Sequence, residues 1–302
     1  MTVRFDRRRF LMTAAAAATT AAGGTGWRSA VLEAAEKLAE GAPHAEKLGW
    51  RLGCQAYTFN RFTFYEAVQK NAAVGLKVIE AYPGQRLSEN GPEGSFGLEM
   101  SPQVRKQVLG YLADHDIQLV NFGVVGLPNN EAGSRAVFEF AKDMGIETIV
   151  SEPGFDALDL IEELAEEYEI DVALHNHPRP SRYWDPQTVL EATRDRSPRL
   201  GACADTGHWM RSDIKPVEAV RQLEGRIISF HFKDLNRSGG GAHDVPWGTG
   251  QADVPAILRE CHRQGFQGVF AVEYEHNWLE SLPEIAESVK FFDKVAADIL
   301  AD

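Results

Sequence analysis

Ile227-Ile-Ser-Phe-His-Phe-Lys-Asp234 reads as a buried strand whose end turns polar. Apolar Ile227, Ile228 and Phe230 run directly into His231, Lys233 and Asp234, and a glycine-rich loop follows. Packing residues below and ionisable residues at the end mark a strand that feeds the C-terminal mouth of a parallel barrel.

Working outward, the same pattern recurs along the chain. Strands are predicted at Leu52–Tyr57, Lys77–Tyr82, Ile117–Phe122, Glu147–Ser151, Asp171–His175, Leu200–Ala204 and Gln267–Glu273, with helical periodicity between them. Proline at Pro102, after Ser101, suits the first turn of one such helix. Eight strand–helix units predict an α/β fold, a single (β/α)8 TIM barrel over residues 49–302. A doubly wound sheet would show a glycine-rich phosphate turn after its first strand, and none follows Tyr57. The loop Arg237–Gly250 is long and glycine-rich at the expected active face, and reads as a flexible lid.

Composition narrows the function classes. The 302 residues carry 31 Lys and Arg against 44 Asp and Glu, a formal charge of −13, which opposes nucleic acid as a partner. Cys54, Cys203 and Cys261 are too far apart for a structural zinc or redox pair and read as buried small hydrophobes. A homo-oligomer is compatible with this sequence.

Residues 1–22 are set apart from the fold. Arg7-Arg-Arg-Phe-Leu11 precedes an alanine-rich run ending at Ala22, which resembles a twin-arginine export signal with Asp6 and Met12 at positions where that motif has other residues. The resemblance implies export to the periplasm. The run is too short and alanine-rich for stable membrane insertion. Residues 23–48 read as a lead-in helix or linker.

The chemistry collects at strand ends: Glu80, Glu152, His175-Asn-His177, Asp205-Thr-Gly-His208, His231 with Lys233, and Glu273. Any one of these alone reads as a hydrogen-bonded rim residue. Together they would each lose hydration at the mouth unless paired or bound to a metal, and mixed carboxylate and imidazole donors suit Mn, Zn or Co better than Mg. Asp205, His231 and Glu273, from three successive strands, are the candidate ligands. Trp209 and Trp247 follow barrel-top segments and could stack on a sugar face or cap the core.

The pieces Ala173-Leu-His-Asn-His-Pro178, Ala204-Asp-Thr-Gly-His-Trp209, Ser229-Phe-His-Phe-Lys-Asp234, Trp247-Gly-Thr-Gly-Gln251 and Val272-Glu-Tyr-Glu275 resemble the sugar phosphate isomerase/epimerase family of xylose-isomerase-like barrels. That resemblance implies one divalent ion held by Glu, Asp, His and Glu, of which the last three map onto Asp205, His231 and Glu273. His175 stands where many members have the first Glu. Two replacements are open, His175 itself or Glu152 one strand earlier, and Glu152 is the favoured fourth ligand. His175, His177, His208 and Lys233 would then orient hydroxyls and move protons, with His177, Trp209, Trp247 and Glu80 as substrate contacts. The implied reaction is proton abstraction next to a carbonyl of a small-molecule sugar, by Glu273 or a nearby His. A keto-glycoside lyase or dehydratase and a non-catalytic sugar-binding barrel are the alternatives.

Overall fold

The computed structural model describes residues 38–302. Residues 1–22, which resemble an export signal, and residues 23–37 of the expected lead-in lie outside the described residues.

Eight parallel strands close into one barrel in sequence order. They are β1 (Trp50–Gln55), β2 (Val78–Ala81), β3 (Gln118–Phe122), β4 (Thr148–Ser151), β5 (Asp171–His175), β6 (Leu200–Asp205), β7 (Ile227–Phe232) and β8 (Gly268–Val272). Closure is made by β1 against β8, from Trp50 opposite Gly268 to Cys54 opposite Val272. The predicted (β/α)8 barrel is therefore the fold.

Strand alternation sorts side chains into two layers. On β7, Phe230 and Phe232 face the helices: Phe230 stacks on Phe270 with centroids 4.7 Å apart, and Phe232 meets Trp247 edge-on at 4.9 Å. Ser229, His231 and Lys233 alternate with them and face the barrel axis. The same parity puts small residues low in the barrel and ionisable ones above them. Val78 lies below Glu80, Val150 below Glu152, Ala173 below His175 and Cys203 below Asp205. Cys54, Cys203 and Cys261 are free and buried, as the sequence suggests.

Local chemistry moves some boundaries. β1 stops at Gln55 because its side-chain oxygen accepts the Tyr57 amide at 2.5 Å and turns Ala56–Phe59 into a short 3-10 helix. The helix Pro102–Asp114 starts at the predicted place, with Ser101 Oγ accepting from Val104 N. Within the described part of the lead-in, the helix is confined to Pro43–Lys47.

The loop after β7 is not free as expected. Asp234 Oδ2 accepts the amides of Gly248 (2.9 Å) and Gly250 (3.0 Å), and Oδ1 accepts that of Ala252 (2.9 Å). Asn236 and His243 add a backbone bond of 3.1 Å across the loop. Gly248, at φ +84 with the Phe291 ring where a Cβ would stand, admits no other residue without a shift. Replacing Asp234 with Ala would leave these amides without their anionic acceptor and is expected to destabilise the protein by about 3 kcal/mol, read by urea unfolding.

Candidate active site and metal centre

Each strand from β5 to β8 sends one donor to the axis. His175 ends β5, Asp205 ends β6, His231 lies on β7, and Glu273 follows β8. One ligand atom from each falls within 4.8 Å of the others, and all four residues are buried. Register contributes directly, since Asp205 and Ala271 both stand opposite His231.

What lies behind each imidazole decides what it offers in front. His231 Nε2 is 2.8 Å from Glu80 Oε1, and a carboxylate can only accept, so Nε2 carries a proton and Nδ1 is the atom left for a metal ion to take in place of a second proton. Nδ1, 3.1 Å from Glu273 Oε2, makes no hydrogen bond. His175 is arranged in the same sense, with Nδ1 2.8 Å from Glu152 Oε1 and a buried, unpartnered Nε2 that lies 3.5 Å from Asp205 Oδ2. Two buried ring nitrogens without hydrogen-bond partners, each facing a carboxylate and each on a ring with an orienting carboxylate behind it, fit a divalent ion of the Mn, Zn or Co type. His175, Asp205, His231 and Glu273 are the residues that would hold it.

The carboxylates already converge on a cation. Lys233 Nζ donates to Asp205 Oδ2 at 2.5 Å and to Glu273 Oε2, and lies 3.7 Å from Glu275 Oε2. Burial alone would lower the lysine pKa, but Asp205 and Glu273 outweigh it and hold the amine charged. Burial likewise opposes ionisation of Glu273, and Lys233 and His231 still hold its carboxyl well below the usual range. Gly207 makes room for this amine, because a Cβ there would sit 2.6 Å from Lys233 Cδ.

Several expected roles change. Glu152, the favoured fourth ligand, stands outside that group of four but makes a second group with His175 and His177 that could hold an ion, and its Oε1 is shared by His175 Nδ1, the His177 amide (3.0 Å) and His177 Nδ1 (2.5 Å). Those bonds hold its carboxyl well below the usual range against the opposing effect of burial, and the bond to Glu152 raises the His177 imidazole. Glu80, expected to touch substrate, is buried beneath His231 and held by Gln55 Nε2 (3.3 Å) and Asn121 Nδ2 (3.1 Å). Trp209 and Trp247 are 1% and 2% exposed, and Trp247 packs on Phe232 and Phe292, so neither presents a face to a sugar. His177 remains exposed at the rim. If Glu80 orients a ligand, Glu80→Gln should weaken Mn2+ binding by roughly 10–100-fold in calorimetric titration, with the fold intact by circular dichroism.

His208 sits over Asp205, whose Oδ1 accepts the His208 amide at 2.7 Å as the cap of the helix Thr206–Arg211. Burial lowers its imidazole well below the ordinary value. Arg211 and Asp244 complete this side of the mouth, and sequence reading missed both. Arg211 has a readable signal, three residues after His208 on one helix face. Asp244 has none, because the loop's return path brings it in.

A barrel closed in sequence order with a cluster of ionisable groups at its C-terminal mouth has the architecture of an α/β-barrel with a candidate metal centre. The chain belongs to the xylose isomerase-like TIM barrel family, whose model matches residues 68–295. An uncharacterized protein of Parabacteroides distasonis is 31% identical over 82% of this chain and 99% of its own, with a TM-score of 0.67. A D-tagatose 3-epimerase-like protein shares the fold at 21% identity and a TM-score of 0.62, covering 81% of this chain and 98% of its own. An uncharacterized protein of Methanocaldococcus jannaschii is 31% identical over 125 residues, which span 39% of this chain and 42% of that relative's length. Among the described residues no helix is long and apolar enough to cross a membrane.

Proposed function

We propose that the protein is a divalent-metal-dependent sugar isomerase or epimerase that removes a proton next to a carbonyl of a keto-sugar or sugar derivative. The observation that carries this reading is the convergence of two carboxylates and two imidazole ring nitrogens at the barrel mouth, each imidazole backed by its own carboxylate. A divalent ion held there supplies positive charge that lowers the cost of an enediolate.

The remaining work falls to the chain's own residues. Glu273, ionised and at the axis, takes the carbon-bound proton. For isomerisation Glu273 returns that proton to the neighbouring carbon. For epimerisation Glu273 keeps it and a water on the opposite face delivers a proton to the same carbon, the hydroxide left being neutralised by the proton that Glu273 later releases. Lys233, whose ammonium lies between Asp205 and Glu273, balances the charge gained and donates to a substrate oxygen. Glu152 and Glu80 hold the two imidazoles in place, and His177 meets substrate at the rim.

The same proposal places the substrate among non-phosphorylated sugars. No glycine-rich phosphate turn follows β1, and the N-terminal segment resembles an export signal, which would take the enzyme to the periplasm. Recovery of the chain with an intact N-terminus only in the cytosol on cell fractionation would refute export.

The direct test is incubation of Mn2+-loaded protein with D-fructose, D-tagatose and a 3-keto-glucoside in deuterated water, followed by NMR. Deuterium should enter at the carbon next to the carbonyl of at least one of them. Binding of these sugars with no exchange in any would identify a sugar-binding barrel instead.

A further inference from the structure

Three imidazoles, those of His175, His208 and His231, surround Asp205 or Glu273 within the buried site. Two have a carboxylate behind them, which holds a ring proton on that side and leaves the other nitrogen for a metal ion. The third is backed differently. His208 Nδ1 lies 3.0 Å from Arg211 Nη1, and a guanidinium has donors only, so Nδ1 must be the acceptor. The proton of a neutral His208 then resides on Nε2, the atom that lies 3.6 Å from Asp205 Oδ2.

Arg211 is itself tied down. Its Nη1 also reaches Glu275 Oε2 at 2.8 Å, and its Nη2 reaches Asp244 Oδ2 at 3.1 Å. Asp244 is buried and comes from the loop whose path Asp234 fixes, so the guanidinium is held from the segment after β8, from that loop and from its own helix. Such a clamp restricts the guanidinium's freedom, which is what fixing a neighbouring tautomer requires.

We propose that Arg211 is a positioning residue that locks His208 as the Nε2–H tautomer, so that the site holds two imidazole acceptors and one imidazole donor. On the proposed function, on which this role rests, the Nε2–H group donates to the substrate oxygen that becomes negative when the neighbouring proton leaves. A neutral donor suits that task because it supplies a hydrogen bond without competing with the metal ligands for the carboxylates. Arg211 acts only through His208.

The tautomer can be read without turnover. Long-range proton–nitrogen NMR on 15N-histidine-labelled, Zn2+-loaded full chain, with His208 assigned from a His208→Gln sample, should show His208 protonated at Nε2 alone. In Arg211→Met the Nδ1–H form should appear, and Arg211→Lys, which keeps a donor at that place, should retain Nε2–H. A protonated Nδ1 in the wild type, or a sole Nε2–H form persisting in Arg211→Met, would overturn the proposal. If Arg211→Met does not fold, a wild-type Nε2–H signal kept in Arg211→Lys and lost in Arg211→Ala, which has no donor, supports the lock, and one kept in both refutes it. With the sugar that shows exchange, kcat for Arg211→Met should fall roughly 100-fold with KM changed less than about threefold. Absence of exchange in the wild type would refute the proposed reaction while the tautomer result stands.

Discussion

Glu273→Gln is expected to lower the rate of solvent deuterium exchange by about a thousandfold, the upper part of the range for losing a general base. The side chain keeps its size and its place at the axis, so the barrel should fold and bind sugar. The amide cannot take a proton, and it also leaves Lys233 with one fewer anionic partner. Exchange must be measured at saturating Mn2+, because the substitution also removes a charged ligand atom. A variant that exchanges at the wild-type rate under that condition would remove Glu273 from the role of base.

The second large effect separates His175 from Glu152. His175→Ala deletes a proposed ligand whose Nε2 has no other partner, whereas Glu152→Ala deletes only the carboxylate behind its Nδ1. Loss of an orienting carboxylate costs roughly 10–100-fold in metal affinity. Glu152→Ala should fall within that range and His175→Ala beyond it, both read by calorimetric titration with Mn2+. The reverse order would restore Glu152 as the fourth ligand. Both proteins should keep the barrel's circular dichroism, since β4 and β5 pair through Thr148 to Ser151 and Asp171 to Leu174, below the two side chains.

The fold was readable because each strand carries its own signature, an apolar run that turns polar at its C-terminal end. Parity supplied much of the site. Asp205, His231 and Glu273 stand at strand ends in phase with the small, axis-facing residues Cys203, Ser229 and Val269. Parity could not choose between His175 and Glu152, which face the axis on adjacent strands. The choice depends on Glu152 turning its carboxylate towards His175 and His177, a side-chain arrangement with no trace in spacing.

Glu80 shows a related limit. Its place on the inner face was legible, but its depth beneath His231 depends on Gln55 and Asn121 from the flanking strands. Of the two roles open to Trp209 and Trp247, capping the core is the one found, and spacing could not choose because an indole after a strand end can turn to either layer. Here the surface between barrel and helices, with Phe232 and Phe292, takes Trp247. The loop beyond Asp234 was misread as flexible because glycine content reports permitted conformations. It says nothing of the carboxylate that selects one of them.

If His175, Asp205, His231 and Glu273 hold one divalent ion, Mn2+ should settle between them at the barrel mouth. Diffraction from Mn2+-soaked crystals, with data at the manganese absorption edge, reads this out. A single anomalous peak bounded by His175 Nε2, Asp205 Oδ2, His231 Nδ1 and Glu273 Oε2 is the predicted result. A peak bound by Glu152 in place of His175, or no peak at the barrel mouth, would contradict it.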